Sequence, residues 1–519
     1  MSDMIIKLSM LVVFFGVMIF IGLYCRRHAT DVSGFVLGGR SVGPWLTAFA
    51  YGTSYFSAVV FVGYAGQFGW KYGIAATWAG IGNALLGSLL AWAVLGRRTR
   101  VMSQHLDSAT MPEFFGKRFS SRPLKLAASV IIFIFLIPYT ASLYNGLSRL
   151  FGMAFHIDYS ICVIVMAVLT GVYVIAGGYM ATAINDFIQG IIMIVGIIAV
   201  IAAVLRGQGG FLEALNALGR VSDPAVSETP GVFASFFGPD PAGLLGVVLL
   251  TSLGTWGLPQ MVQKFYAIKS EKAINKGMII STVFALIVSG GCYFLGGFGR
   301  LFSAQIDIAT GGYDSIIPTM LSGLSTVLIA IVVILVLSAS MSTLSSLVLA
   351  SSSTLTLDFL KDTIGKDMDE KRQVLVMRLL IVVFIAISVV LALIQYKSSV
   401  TFIAQLMGVS WGALAGAFLA PFLYGLYWKR TTRAACWVSF VFSTVFMLAN
   451  IFVGSSFPAL LQSPINAGAF CMLAGLVLVP VVSLLTRPPR PDHIARVFSC
   501  YDRKVVVSIK DSIGDQTQT

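Results

Sequence analysis

Charge is what this sequence has least of. Only 11% of its residues are Asp, Glu, Lys or Arg, against roughly 25% in a soluble globular chain, so water is not its main solvent. Histidine occurs four times and cysteine six. The cysteines (Cys25, Cys162, Cys292, Cys436, Cys471 and Cys500) stand singly, with no CxxC or other metal-ligand spacing and no sign of a disulfide framework. No P-loop, HExxH or GxSxG occurs in a suitable context. No segment between apolar runs is long enough for an enzyme domain, so chemistry and ATP-driven pumping by this chain are excluded. The period-two alternation of an outer-membrane barrel is absent too.

What fills the sequence is apolar. Hydrophobic residues make up 57% of the 519, and mean hydropathy is +0.88. They come in runs of about 20, the length that crosses a hydrocarbon core of roughly 30 Å as a helix. Such segments must close their own backbone hydrogen bonds, so the expected fold is an all-α integral membrane bundle. Hydropathy places about thirteen spans, near 5–25, 44–69, 74–96, 126–148, 159–178, 187–205, 242–262, 277–298, 322–357, 374–396, 399–427, 434–453 and 465–486. Arg26 and Arg27 follow the first run instead of leading it, the reverse of a cleavable signal peptide, so it reads as a retained span.

The net charge of +13 does not point to nucleic acid, because the basic residues sit in short loops without aromatic interleaving. They sort by side instead. Counting Arg26, Arg27 and Arg40, the Arg97–Lys125 cluster, Lys264 to Lys276, Lys361 to Arg378, Lys429 to Arg433 and the tail, 28 of the 35 fall on one side. By the positive-inside rule the N-terminus lies outside and the C-terminus in the cytoplasm of a multi-pass protein of the cell (inner) membrane.

Polar or helix-breaking residues at membrane depth are costly unless buried and used. The second span carries Gly52, Thr53, Ser54 and Ser57 near its middle. Local unwinding there would free carbonyls toward a cation; a small-residue packing seam is the plainer alternative. The ninth holds six hydroxyls between Ser338 and Ser346, with Ser338, Ser342, Ser345 and Ser346 on one helical face. Hard cations favour such neutral oxygens; the alternative is hydroxyls bonding their own helix. Asp186 has no Lys or Arg between itself and Arg149 upstream, or Arg206 downstream. It reads as part of a cation pathway, as a helix N-cap, or as both. The seventh span breaks at Gly254–Pro259. Breaks in spans two and seven suggest a 5+5 inverted repeat. This divides the chain into a first span with its loop (1–43), a first repeat (44–206), an outer loop (207–241), a second repeat (242–427), two peripheral spans (428–487) and a cytoplasmic tail (488–519). The tail shows no helical period.

Leu37-Gly-Gly-Arg40 with Gly43-Pro-Trp45, Tyr139-Thr-Ala141, Gly177-Gly178 followed by Asn185-Asp186-Phe-Ile-Gln-Gly190, and above all Met341-Ser-Thr-Leu-Ser345 resemble the sodium:solute symporter family, most closely its proline and pantothenate carriers. The resemblance covers nearly the whole chain. It implies a LeuT-like core and sodium-driven import of a small organic solute, such as proline or a small carboxylate, by alternating access. It also implies a sodium site at Thr53, Phe56, Ala339, Ser342 and Thr343. Some members hold a second sodium where Asp186, Ser345 and Ser346 stand. Tyr139 and Pro259 match the proline carriers, whereas Tyr55, Thr251 and Thr255 depart from them. The solute pocket expected is Ser57, Gln67, Tyr139, Tyr144, Thr255, Trp256 and Pro259. Sodium, a small solute and lipid are the expected partners, with no other cofactor. A proton-coupled carrier in which Asp186 titrates, and a channel or solute sensor, are the competing readings.

Overall fold

The computed structural model describes residues 2–26, 29–155, 157–308, 312–363, 368–398 and 403–501. Arg27, Lys366, Arg503, Lys504, Lys510 and tail residues 502–519 lie outside them. The helices that matter below are α1 Ser2–Cys25, α2 Pro44–Tyr55, α3 Val59–His105, α4 Arg122–Phe155, α5 Tyr159–Gly207, α6 Pro241–Gly257, α7 Pro259–Ala267, α8 Glu271–Gly296, α9 Thr326–Thr363, α10 Glu370–Ser398, α11 Ile403–Tyr427, α12 Arg433–Val453, α13 Pro464–Leu485 and α14 Pro491–Phe498. Several begin at polar caps that satisfy the first free N–H groups. Asp158 accepts from Ser160 N, Asp240 from Gly243 N, and Thr432 from Ala435 N.

Among the described residues ten helices are long and apolar enough to cross a membrane, or eleven if the bent pair α6–α7 is one span. Two of them are too long for one crossing. α3 has 47 residues and α5 has 49, roughly 70 Å each at 1.5 Å per residue. Each is interrupted at one glycine: Gly73 (φ 62, ψ −144) in α3 and Gly178 (φ 55, ψ −148) in α5. Both fall close to a backbone region that essentially only glycine visits. A sharp break at Gly178 replaces the loop expected over 179–186. The helix resumes at once, so Asp186 lies inside α5 and the N-cap reading of it is corrected.

Apolar side chains cover the rim, with Phe20 68%, Val195 62%, Val477 63% and Leu484 61% exposed, as befits a surface solvated by lipid. Inside, small residues let backbones approach. A Cβ on Gly69 would stand 1.9 Å from the Gly296 carbonyl oxygen, and one on Gly80 2.4 Å from Gly290 Cα, so α3 and α8 meet nearly backbone to backbone. α9 and α11 occupy the centre, and every hydroxyl from Ser338 to Ser346 is buried.

Two segments left blank by the sequence have structure. In 207–241 a short helix, Phe211–Gly219, precedes a turn pinned by Arg300. Arg300 bonds Asp223 (2.7 Å) and the Trp70 carbonyl (2.7 Å) and lies 3.9 Å over the Phe233 ring. The tail, expected to lack helical period, forms α14. Ile494, Val497 and Phe498 make one buried face, too short a repeat to stand out in the sequence. α14 docks through His493 on the Arg118 carbonyl and the Arg118 guanidinium over Phe498.

Candidate functional site

α2 opens with Pro44 in its first turn and ends at Tyr55, because Phe56 is extended (φ −89, ψ 117). The helical ladder stops there, which leaves last-turn carbonyls without helical N–H partners. The bend between α6 and α7 is 47° and rests on Leu258, extended in nearly the same way (φ −77, ψ 126). The side chain of Tyr55 lies outside the described residues.

α9 lies against the break in α2. Ser342 Oγ is 3.1 Å from the Thr53 carbonyl oxygen and 3.0 Å from that of Ala339. Thr343 Oγ1 is 3.0 Å from the Thr53 carbonyl, 3.3 Å from Phe56 and 3.1 Å from Ala339. The five residues implied by the resemblance therefore bring two hydroxyls and three carbonyls into one cluster, all fully buried. The hydroxyls bond both their own helix and the unwound segment, so the two readings of the serine run coexist. Such an oxygen set, neutral and without His, Cys or carboxylate, suits a hard monovalent cation.

The second group is built differently from its sequence reading. Asp186 is buried and neither carboxylate oxygen has a hydrogen-bond partner among the described residues. It does have a cation: Lys264 Nζ is 3.8 Å from Asp186 Oδ2, with both side chains almost wholly buried. Lys264 was counted among loop charges; it is instead an interior residue of α7, 1% exposed. Its ammonium donates to Ser346 Oγ at 3.0 Å and lies 5.0 Å from the centre of the Tyr179 ring. Ser346 Oγ meets Ser54 Oγ at 2.9 Å. Ser345 donates to the Ser342 carbonyl, on its own helix. Val262, Phe265 and Tyr266, all buried around Lys264, were the signal that the helix continues inside.

The residues expected to face solute fall into separate groups. Tyr139 has Ser57 and Trp411 as polar neighbours, and its ring stands edge-on to Trp411 at 5.9 Å. Trp411 was missed by the sequence reading; it lies against Gly254 at the break of α6. Tyr144 is buried with an unpartnered hydroxyl among the described residues. Thr255 and Trp256 are engaged elsewhere. Thr255 donates to the Gly87 carbonyl (2.9 Å) and Trp256 Nε1 to that of Leu86 (2.9 Å). Gln67 sits in α3 with its side-chain oxygen buried and unpartnered among the described residues. Pro259 starts α7.

Comparison with known proteins gives the family. The model of the sodium:solute symporter family matches residues 35–441. The osmoregulated proline transporter OpuE of Bacillus subtilis is 28% identical over 481 residues, 92% of this chain and 94% of that protein. A sodium/proline symporter of Staphylococcus aureus is 32% identical over 436 residues, 82% of each. Among solved structures, a Na+-coupled sialic acid symporter in a substrate-bound, outward-open state superposes with a TM-score of 0.73 at 17% identity. It covers 93% of this chain and 98% of that one, a likeness of fold. With four-fifths of the chain inside the family model and broken helices around an oxygen-lined centre, the protein belongs to the sodium:solute symporter family.

Proposed function

We propose that the chain is a sodium-coupled symporter that imports a small organic solute, an amino acid such as proline or a small carboxylate, across the cytoplasmic membrane by alternating access. The observation that carries this is the cluster of Thr53, Phe56, Ala339, Ser342 and Thr343 oxygens between the broken α2 and α9. Sodium sits there and pulls the two helices together, which shapes the adjoining solute pocket. Ser57, Tyr139 and Trp411 form the core of that pocket, while Thr255, Trp256 and Pro259 hold its wall at the second break. The matched breaks at Phe56 and Leu258 support a 5+5 inverted repeat within thirteen crossings, with α3 and α5 each counting as more than one element. The basic asymmetry supports an outer N-terminus and a cytoplasmic C-terminus. Proline is the first solute to test, because two similar proteins are named for it.

The test is uptake of radiolabelled L-proline, and of small amino acids and carboxylates in parallel, into proteoliposomes under an imposed sodium gradient. Uptake of one of these that stops when choline replaces external sodium is the expected result. Uptake indifferent to sodium but driven by a pH gradient at fixed sodium replaces this reading with the proton-coupled one.

A further inference from the structure

A cation is buried in the interior of this protein and is covalently part of it, the ammonium of Lys264. Asp186, a fully buried carboxylate, has the Lys264 ammonium as its partner at 3.8 Å. The same ammonium donates to Ser346 at 3.0 Å and stands over the Tyr179 ring. Carboxylate, hydroxyl and aromatic face are what a monovalent cation would be offered here. A free cation added beside a buried ammonium would meet a like charge at short range in a medium of low dielectric.

We propose that the Lys264 ammonium takes the place of a second sodium ion, so that this chain binds one sodium, at the Thr53–Thr343 cluster. This rests on the sodium-coupled reading and fixes its stoichiometry. A tethered cation keeps Asp186 neutralised without being carried across. It also links four helices: α7 through Lys264 itself, α5 through Asp186, α9 through Ser346, and α2 through the Ser346–Ser54 contact of 2.9 Å. Ser54 follows Thr53, whose carbonyl belongs to the sodium cluster. The lysine therefore stands where a second ion would report to the first.

Equilibrium binding of radiolabelled sodium to the purified full chain, without solute, decides the matter. Wild type is expected to saturate at one sodium per chain with a Hill coefficient of about 1. Lys264→Met, and separately Lys264→Gln, are expected to gain a second sodium or a coefficient well above 1, because Asp186 then recruits a free cation. The Lys264→Met/Asp186→Asn pair returns to one. Gel filtration and sodium-dependent melting establish that each variant is folded, and Lys264→Gln keeps a polar partner for Ser346 should the methionine variant fail. Two sodium ions in wild type overturn this inference and leave the symporter reading intact. Folded neutral variants that stay at one sodium overturn it as well. No saturable sodium binding in wild type overturns both.

Discussion

Replacing Thr343 by valine keeps the branched shape and nearly the volume of the side chain and removes one oxygen. That oxygen lies within 3.3 Å of three carbonyls, those of Thr53, Ala339 and Phe56, so it sits at the centre of the proposed sodium cluster. A polar contact to a charged group contributes about 1.5–3 kcal/mol. Loss of one of five such oxygens therefore weakens sodium by about 10- to 150-fold. With no sodium present the same change removes hydroxyl–carbonyl hydrogen bonds, a net loss of about 1 kcal/mol, so the folded protein persists.

The assay is melting of the purified chain across a sodium titration at constant ionic strength, with choline as the replacing cation. Ligand binding to the folded state raises apparent stability by mass action, so the midpoint concentration reports affinity. Ser340→Ala is the control: its hydroxyl is on the same helix, buried, with no hydrogen-bond partner among the described residues, and its loss leaves the sodium midpoint in place. A Thr343→Val midpoint within about threefold of wild type, less than 1 kcal/mol, would place the ion elsewhere.

Gly178→Ala forces a Cβ into φ 55 and to 2.8 Å from the Phe35 carbonyl oxygen, a cost of about 1–3 kcal/mol for the backbone alone; the variant should melt lower with or without sodium, and an unchanged melt contradicts the kink. Gly80→Val drives side-chain atoms into Gly290, whose Cα lies 2.4 Å from the position of a Cβ, and should abolish recovery of monodisperse protein, whereas normal yield means that α3 and α8 are farther apart. Arg300→Met removes the link from Asp223 in the turn of 207–241 to the Trp70 carbonyl of α3; cleavage at exposed Glu228 by a glutamyl endopeptidase should quicken while sodium binding stays at the wild-type midpoint, and an unaltered rate means that Arg300 does not hold the loop.

What could be read in the sequence and what could not divide along a physical line. The Thr53–Thr343 cluster was legible because both of its halves are local: a helix interrupted among small residues, and hydroxyls crowded into an apolar run. Each announces itself along one stretch of chain; the resemblance supplied which five residues take part, Phe56 and Ala339 among them, and their pairing. Lys264 was not legible, because counting basic residues by side treats each as a loop charge. Its partners Asp186 and Ser346 belong to two other helices, and only the fold brings them near. Gly178 was seen as the end of a span, but hydropathy cannot distinguish a loop from one left-handed residue that lets the helix resume at Tyr179.

The solute residues show the same limit more sharply. Thr255 and Trp256 were expected in the solute pocket from the resemblance, which places them just upstream of Pro259. In the fold they donate to the carbonyls of Gly87 and Leu86, within the widened π turn Leu85–Leu90 of α3. A π turn departs from the regular i→i+4 pattern, and here Tyr51 also donates to the Gly87 carbonyl. One carbonyl thus ties the first broken helix, through Tyr51, to the second, through Thr255. The two breaks are tied to each other through a third helix, so under the proposed mechanism a shift of α2 on sodium binding would reach α6 by a path that does not pass through the solute.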